Sequence, residues 1–405
     1  MRPATYTSSA LVSALTPYFW AFSLFAVVLP PCVILRTVPT QRQWSLQLFR
    51  AFFALYILAQ LATSCRVTYI NSAMISRFVV RSSSDGITWL LSLGINVVQL
   101  IVQIVLYYQA LTGHQLLTNM LFNVMELERD IRQHCKNECT LASIRWRFRL
   151  RIGVWFLIIC IVFPYLNYEL ATTSLTPLPR VLTVLFCTIV QLKGVEYCMN
   201  AQLVQELLHL VQKQLLHLRH ELLRCEDVER RRIIYTDLQT NQNLLSRIWD
   251  LLNQVERYFC IPMLTLFFYN GFSITQTIHW GYINFELDDL NLRLCRIAFA
   301  VVIITTLFIP CYFSQCCIDE YNRFGTMLHK LKTVGIDELL AMRLQEYSLQ
   351  LMHQQMMFTC GGLFDINLKN FGAIILTITT YVVILIQFKL QAETERQSSF
   401  ETRYE

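Results

Sequence analysis

Polar side chains recur at helical spacing within the last apolar run of the sequence. On a helix, residues at i, i+3, i+7 and i+10 share one face, and that face here holds Thr377, Thr380, Ile384 and Gln387. Tyr381 and Phe388 form a neighbouring stripe. Several copies of such a helix around a symmetry axis would line a narrow pore, closed by a hydrophobic ring of Ile384 or Phe388. The alternative is that the threonine and glutamine side chains bond neighbouring helices within one chain.

Catalytic and metal-binding patterns are absent from the sequence. It contains no Gly-rich phosphate loop, no GxSxG and no HExxH, and no carboxylate or histidine pair lies deep in an apolar run as a proton relay would require. His134, Cys135 and Cys139 lack the second matching pair of a zinc site. We therefore predict no enzyme activity, no metal and no cofactor.

The composition indicates a protein of the lipid bilayer. Of the 405 residues, 54% are hydrophobic and only 15% charged, whereas a soluble domain carries about 25% charged residues. The net charge of +6 is modest and spread out, so we predict no nucleic-acid partner. Eight apolar runs reach the length of about 20 residues that crosses a bilayer as a helix. They are 17–36, 47–66, 88–112, 152–172, 180–199, 257–280, 295–317 and 371–390.

The first of these runs is predicted not to span. It contains Pro17, and its Pro30-Pro31 pair breaks a helix, so we expect a broken or re-entrant N-terminal helix whose backbone is covered by protein. The arginines of RWRFRLR, residues 145–151, precede the fourth run and mark the cytoplasmic side. The prediction is an all-α, multi-pass membrane protein with seven transmembrane helices and an intracellular N-terminus.

Long polar segments between the spans are also predicted to be helical. The segment Leu203 to Cys225 has leucines at helical spacing, a second helix covers about 236–256, and 337–358 is helix-like. We expect these helices to extend the spans into the cytoplasm and to pack together there.

The stretch CGGLFDINLKNFGAIILTITTYVVILIQF, from Cys360 to Phe388, resembles the signature region of insect gustatory receptors. That family ends in Thr-Tyr, five apolar residues and Gln-Phe, and this sequence has the same pattern from Thr380 to Phe388. The upstream segment 362–367 also resembles the family. The rest of the chain resembles it in layout, with a broken N-terminal helix, seven spans and long cytoplasmic helices.

The resemblance implies a ligand-gated, non-selective cation channel, built as a homo- or heterotetramer with other gustatory receptors in the plasma membrane of sensory neurons. It implies that the last span is the pore helix, with Gln387 and Phe388 near the extracellular gate. Thr380 and Tyr381 would hold this helix against its neighbours or line its middle. Hinge or anchor residues are implied at Gly362, Phe364 and Asp365. A seven-span receptor that signals through a cytoplasmic partner, without its own pore, stays open as the alternative.

The chain is predicted to have three regions. Residues 1–358 form the transmembrane bundle with the ligand pocket and cytoplasmic helices, 359–390 form the anchor-to-pore turn and the pore helix, and 391–405 form an extracellular tail.

A ligand pocket is implied in the outer half of the bundle. The predicted topology gives as candidates Trp89, Asn96, Gln99, Phe163, Tyr165, Tyr269, Asn270 and Gln276. Aromatic walls with a few polar groups suit a small molecule, although aromatic side chains also form belts at membrane surfaces. The mixed lining favours a bitter or other amphipathic tastant over sugars, whose hydroxyls need many hydrogen-bonding partners.

Overall fold

The computed structural model describes residues 9–34, 43–82, 86–134, 141–171, 176–224, 228–283, 289–331 and 338–404. These residues are almost wholly helical. The α-helices are α1 (Ala10–Leu24), α2 (Pro31–Ile34), α3 (Gln43–Ser82), α4 (Gly86–Thr112), α5 (His114–His134), α6 (Leu141–Leu157), α7 (Phe163–Leu170), α8 (Pro177–Arg224), α9 (Val228–Ile283), α10 (Leu290–Leu331), α11 (Glu338–His353) and α12 (Leu368–Tyr404). A π-helical turn, Ile158–Val162, joins α6 to α7.

Seven helical stretches are long and apolar enough to cross a membrane, which confirms the predicted number. They are Gln47–Met74, Thr88–Thr112, Trp146–Leu170, Pro177–Leu222, Glu229–Ile283, Leu290–Lys330 and Leu368–Gln391. Each overlaps one predicted run. The first predicted run falls instead on α1, which has 15 residues and is too short to span.

The N-terminal helix is broken as predicted, but the break is not made by the Pro30-Pro31 pair. Pro17 lies inside α1, and the helix ends before Pro30. It ends in a Schellman motif, in which Val27 N donates to the Phe22 carbonyl at 3.0 Å and Ala26 adopts φ 59°. Alanine pays a conformational penalty of about 1–2 kcal/mol there. Pro31 instead begins α2, where its fixed φ suits the first helical turn.

Both ends of α1 are held by other helices. At its start, the buried Glu128 carboxylate of α5 accepts hydrogen bonds from Ala10 N at 2.9 Å and Leu11 N at 3.2 Å. At its end, the Tyr56 hydroxyl of α3 donates to the Leu24 carbonyl at 2.6 Å. α1 therefore begins at α5, which is not one of the spans, and ends beside the span of α3, where the chain turns back. Its terminal backbone groups are satisfied by protein, as a re-entrant helix requires.

The three longest helices extend far beyond the thickness of a bilayer. α8 has 48 residues, α9 has 56 and α10 has 42, whereas about 20 suffice to span. The predicted helix at 203–225, as far as its described end at Arg224, and the predicted helix at 236–256 are therefore continuous with the spans, and they pack together as expected. Buried Asn241 of α9 joins them, because its amide donates to the Val211 carbonyl of α8 at 3.0 Å and accepts from the Tyr347 hydroxyl of α11 at 2.9 Å.

An ion pair that the sequence analysis overlooked lies inside α8. Lys193 Nζ is 2.7 Å from Glu196 Oε2, and both side chains are fully buried. The ammonium group also lies 4.5 Å from the ring centre of Tyr258 and 5.0 Å from that of Phe259, both on α9. Charges within spans pair with one another and face protein. This pair therefore fixes α8 against the beginning of the α9 span.

One turn further along α8, Tyr197 reaches two other elements. Its hydroxyl lies 2.6 Å from Ser314 Oγ of α10, and its ring packs edge-on against Phe358 at 6.2 Å between centres. The buried ion pair thus adjoins the segment that connects α11 to α12.

The substitution Lys193→Met should destabilise the fold by about 3–5 kcal/mol, because it leaves the Glu196 carboxylate buried without its cation. The double substitution Lys193→Met/Glu196→Met should recover most of that loss, since it removes both charges. Thermal unfolding of the purified protein in detergent, followed by tryptophan fluorescence, measures both effects.

The matched control is Arg343→Met, which breaks the Arg343–Glu346 pair of 2.9 Å on the surface of α11. An exposed pair contributes about 0–1 kcal/mol. Equal melting temperatures for Lys193→Met and Arg343→Met would contradict a stabilising role for the buried pair.

Candidate functional site

α12 is attached to the rest of the chain along one narrow stripe. Ile378 and Val382 are buried, and the partly buried residues beside them are Phe371, Ile374, Ile375 and Ile386. In the most apolar stretch of each span, only 6% of the residues are buried in α12, against 61% in α8. The remaining surface of α12 must meet lipid or other chains.

The predicted pore and gate residues lie on the face of α12 turned away from that stripe. All are exposed, namely Thr377, Thr380, Tyr381, Ile384, Gln387 and Phe388. The hydroxyls of Thr377 and Thr380 donate to carbonyls of their own helix at 2.9 and 3.0 Å. Within the described part of the chain, Gln387 forms no hydrogen bond. The alternative that these groups bond neighbouring helices of the same chain is therefore not what the structure shows.

A tight turn connects α11 to α12. Gly361 and Gly362 have φ of 62° and 74°, and Leu363 N donates to the Cys360 carbonyl at 3.2 Å. Two successive positive φ angles are typical of a type I′ turn, which favours Gly-Gly. We call residues 358–366 the anchor hairpin, since Ile366 N also bonds the Phe358 carbonyl at 2.7 Å. Gly362 was a predicted hinge residue; Gly361 was missed, although the Gly-Gly pair signals such a turn.

The anchor hairpin is fixed to α9. The predicted anchor residue Phe364 packs edge-on against Phe267 of α9 at 5.5 Å between ring centres, and the Thr359 hydroxyl donates to the Glu256 carboxylate. Burial raises the pKa of the Cys360 thiol to about 12, so this thiol stays protonated and unreactive at neutral pH. The hairpin is therefore a rigid extension of the helical bundle.

The start of α12 is set by the end of the hairpin. Asn367 Oδ1 accepts a hydrogen bond from Asn370 N at 2.8 Å, which is the usual N-cap interaction of a helix. Asn370 Nδ2 donates a hydrogen bond to the backbone carbonyl of Asp365 at 3.0 Å. Asp365, a predicted hinge residue, thus contributes its backbone to the junction. α12 then continues unbroken past residue 390, where the extracellular tail was expected to begin.

The second predicted site contains polar side chains from four helices, of which Asn167 is half-buried and the others are buried. Cys187 Sγ of α8 donates to Gln99 Oε1 of α4 at 3.6 Å, and Tyr269 of α9 and Asn167 of α7 are its other polar neighbours. The structure therefore brings the candidates Gln99 and Tyr269 together around one cysteine. We call Gln99, Asn167, Cys187 and Tyr269 the outer polar cluster. Cys187 and Asn167 were not among the predicted residues.

Two more candidates lie near this cluster along the same helices. Asn270 is fully buried and exchanges hydrogen bonds of 2.7 and 3.4 Å with Gln191 of α8. Asn96 donates to the Ser92 carbonyl of its own helix at 2.9 Å, and the Ser92 hydroxyl accepts from Trp280 Nε1 at 3.2 Å. Cys187 and Gln191 stand four residues apart on α8, so helical spacing was the signal that could have found them.

The remaining ligand candidates are dispersed. Phe163 is buried and stacks on Phe299 of α10 at 5.6 Å between ring centres. Trp89 donates to a serine hydroxyl of α3 at 3.3 Å, and Gln276 is half-buried. Tyr165 is 61% exposed on the outer surface of α7, away from the outer polar cluster.

Comparison with known proteins agrees with this architecture. The 7tm Chemosensory receptor family model matches residues 14–392. Gustatory receptor 98b of Drosophila melanogaster is 34% identical over 390 residues, which is 95% of this chain and 96% of that protein. Gustatory receptor 98c of the same organism is 32% identical over 392 residues, covering 95% of both chains.

A solved structure shares the fold. The insect olfactory receptor OR5 from Machilis hrabei superimposes with a TM-score of 0.64 at 12% identity, over 94% of this chain and 100% of that chain. Its complex with eugenol superimposes with a TM-score of 0.57 at 10% identity and the same coverage. The resemblance of the Cys360–Phe388 stretch is thereby confirmed along nearly the whole chain. This multi-pass membrane protein therefore belongs to the insect gustatory receptors of the seven-transmembrane chemosensory receptor family, a family of receptors rather than of enzymes.

Proposed function

We propose that this receptor is a ligand-gated, non-selective cation channel, and that the polar face of α12 from four copies or related subunits lines the ion path. The observation that carries the proposal is the exposed stripe of Thr377, Thr380 and Gln387, opposite the narrow stripe by which α12 is attached. Sensory neurons that detect small-molecule tastants are the proposed setting.

The exposed amide of Gln387 indicates that water or protein, and not lipid, contacts this face of α12. A threonine hydroxyl can be satisfied by the carbonyl one turn earlier in its own helix, as Thr377 and Thr380 are. A glutamine amide has no such internal partner here, and leaving an amide unsatisfied in hydrocarbon costs about 2–7 kcal/mol. Assembly around a water-filled axis removes this cost.

The charge of the proposed lining suits a channel without a specific ion site. Threonine and glutamine offer neutral dipoles, and the nearest cation, Lys389, is turned towards the Tyr282 ring of α9, 5.5 Å from its centre. Ile384 and Phe388 alternate with these polar groups and supply the apolar ring at which a narrow pore closes by dewetting.

The outer polar cluster is the proposed ligand site. Its four helices converge on a few polar groups within apolar surroundings, as small-molecule sites do, and OR5, which shares the fold, has been solved with eugenol. An amphipathic ligand, such as a bitter compound, fits this mixture.

A mechanical route from ligand to pore follows from the same helices. α8 and α9 carry the outer polar cluster, and further along they carry the Lys193–Glu196 pair and the contacts to the anchor hairpin. A ligand that favours one arrangement of α8 and α9 would thus bias the hairpin and the start of α12.

Replacing Gln387 with alanine should change the ligand-evoked current, because it removes the one amide of the proposed lining. The receptor, expressed alone and with related subunits, is tested with a compound panel under voltage clamp. Thr379→Val is the matched control, since Thr379 is exposed on α12 but lies off the polar stripe. Second-messenger changes without any current would instead support the receptor that signals through a cytoplasmic partner.

Replacing Tyr269 with phenylalanine should raise the half-maximal ligand concentration by a factor of about 2 to 10 without lowering the maximal current. The change removes one buried hydroxyl, whose hydrogen bond contributes about 0.5–1.5 kcal/mol, and keeps the ring. Tyr165→Phe is the control, because Tyr165 lies on the outer surface. Equal concentration–response curves for the two variants would argue against the outer polar cluster as the ligand site.

A further inference from the structure

A groove between α1 and α6 belongs neither to the ion path nor to the outer polar cluster. Its volume is about 510 Å³, and it is lined by Pro17, Tyr18, Ala21, Arg149 and Phe156. Tyr18 forms its middle, since its hydroxyl donates to the Arg149 carbonyl at 3.2 Å and its ring packs edge-on against Phe156 at 5.7 Å. The lining is therefore mainly apolar and aromatic, with the Tyr18 hydroxyl and Arg149 as its polar part.

The groove runs along the beginning of a membrane span. The span of α6 begins at Trp146, and the residues on its outward face are strongly exposed, namely Trp146, Leu150, Val154 and Leu157. Arg149 and Phe156 stand on the adjacent face, seven residues and about 10 Å apart along the helix. One end of the groove thus lies at the level of the lipid headgroups and the other within the hydrocarbon.

The arginines at the base of α6 are not equivalent. Arg147 and Arg151 lie on the opposite side of the helix and interact electrostatically with Glu206 of α8. Arg149 faces the groove, is exposed, and forms no ion pair with any residue that the structure describes. The headgroup end of the groove therefore carries a positive charge that no described acidic side chain of the protein neutralises.

We propose that this groove binds an anionic phospholipid of the leaflet next to α1, with the phosphate at Arg149 and one acyl chain beside Tyr18, Ala21 and Phe156. A guanidinium group binds phosphate through two parallel hydrogen bonds. Basic pockets between spans on the cytoplasmic side, where the sequence predicts this end of α6, suit anionic headgroups. The lipid would hold the re-entrant helix against α6, in addition to the contacts of Glu128 and Tyr56.

The selectivity of the site rests on the headgroup. Every phospholipid can place an acyl chain beside Tyr18, Ala21 and Phe156, so the chain adds affinity relative to free phosphate but does not distinguish one lipid from another. A zwitterionic phosphatidylcholine brings its own positive charge to Arg149, whereas a phosphoinositide does not. The groove is therefore expected to discriminate by charge and to require both the charge and the chain.

Lipid binding to the full-length purified chain in detergent tests this proposal. Native mass spectrometry counts bound dioctanoyl phosphatidylinositol bisphosphate, dioctanoyl phosphatidylcholine or inorganic phosphate, and thermal unfolding reports their effect on stability. We expect the anionic lipid to bind and stabilise, and Arg149→Gln to weaken its binding about tenfold. Arg147→Gln is the matched control, with wild-type binding.

A second variant tests the contribution of the apolar groove to lipid binding separately from that of the Arg149 charge. Ala21→Phe fills the groove without changing the charge, and it should also weaken lipid binding; it decides the matter if Arg149→Gln does not fold. Equal binding of the anionic lipid by Arg149→Gln and Arg147→Gln overturns the proposal. So does equal binding of phosphatidylcholine. Inorganic phosphate that binds as tightly as the lipid also overturns it, because the acyl chain would then contribute nothing.

Discussion

The absence of water in the hydrocarbon of a bilayer requires each polar group there to find a partner within protein. The structure meets this requirement in several ways. The re-entrant turn after α1 is closed by a Schellman motif and by the Tyr56 hydroxyl, and Lys193 and Glu196 neutralise one another. The threonines of α12 bond their own helix. On the exposed face of α12, Gln387 forms no hydrogen bond with the described residues, and this amide connects the fold to the proposed ion path.

The long helices explain how a change among the outer spans can reach α12. α8 and α9 are single helices that pass from the outer polar cluster to the cytoplasmic bundle without interruption. The anchor hairpin rests on α9 through Phe364 and on α8 through the Tyr197–Phe358 contact. α12 has little other attachment, so its position depends on the hairpin from which it starts and on one packed stripe.

Hydropathy and helical spacing were sufficient to predict the seven spans, the helical extensions and the polar stripe of α12, since each depends on local sequence. Features that depend on packing or backbone geometry were missed. Ala26 ends α1 in a positive-φ conformation for which alanine gives no signal. The Lys193–Glu196 pair becomes meaningful only once Tyr258 covers it. Tyr165 faces outward after the π-helical turn Ile158–Val162, which inserts a residue and rotates the helix beyond it by about 100°.

Modification of cysteines introduced into α12 tests most directly whether its polar face lines an ion path. A charged, membrane-impermeant thiol reagent is applied during ligand-evoked current to Thr380→Cys, Gln387→Cys and, as control, Val382→Cys. Native Cys360 does not interfere, because it is buried and its pKa is raised to about 12. If the polar face lines the ion path, current is lost irreversibly at positions 380 and 387 and not at 382, which lies on the packed stripe. Unchanged current in Gln387→Cys and Thr380→Cys would contradict it.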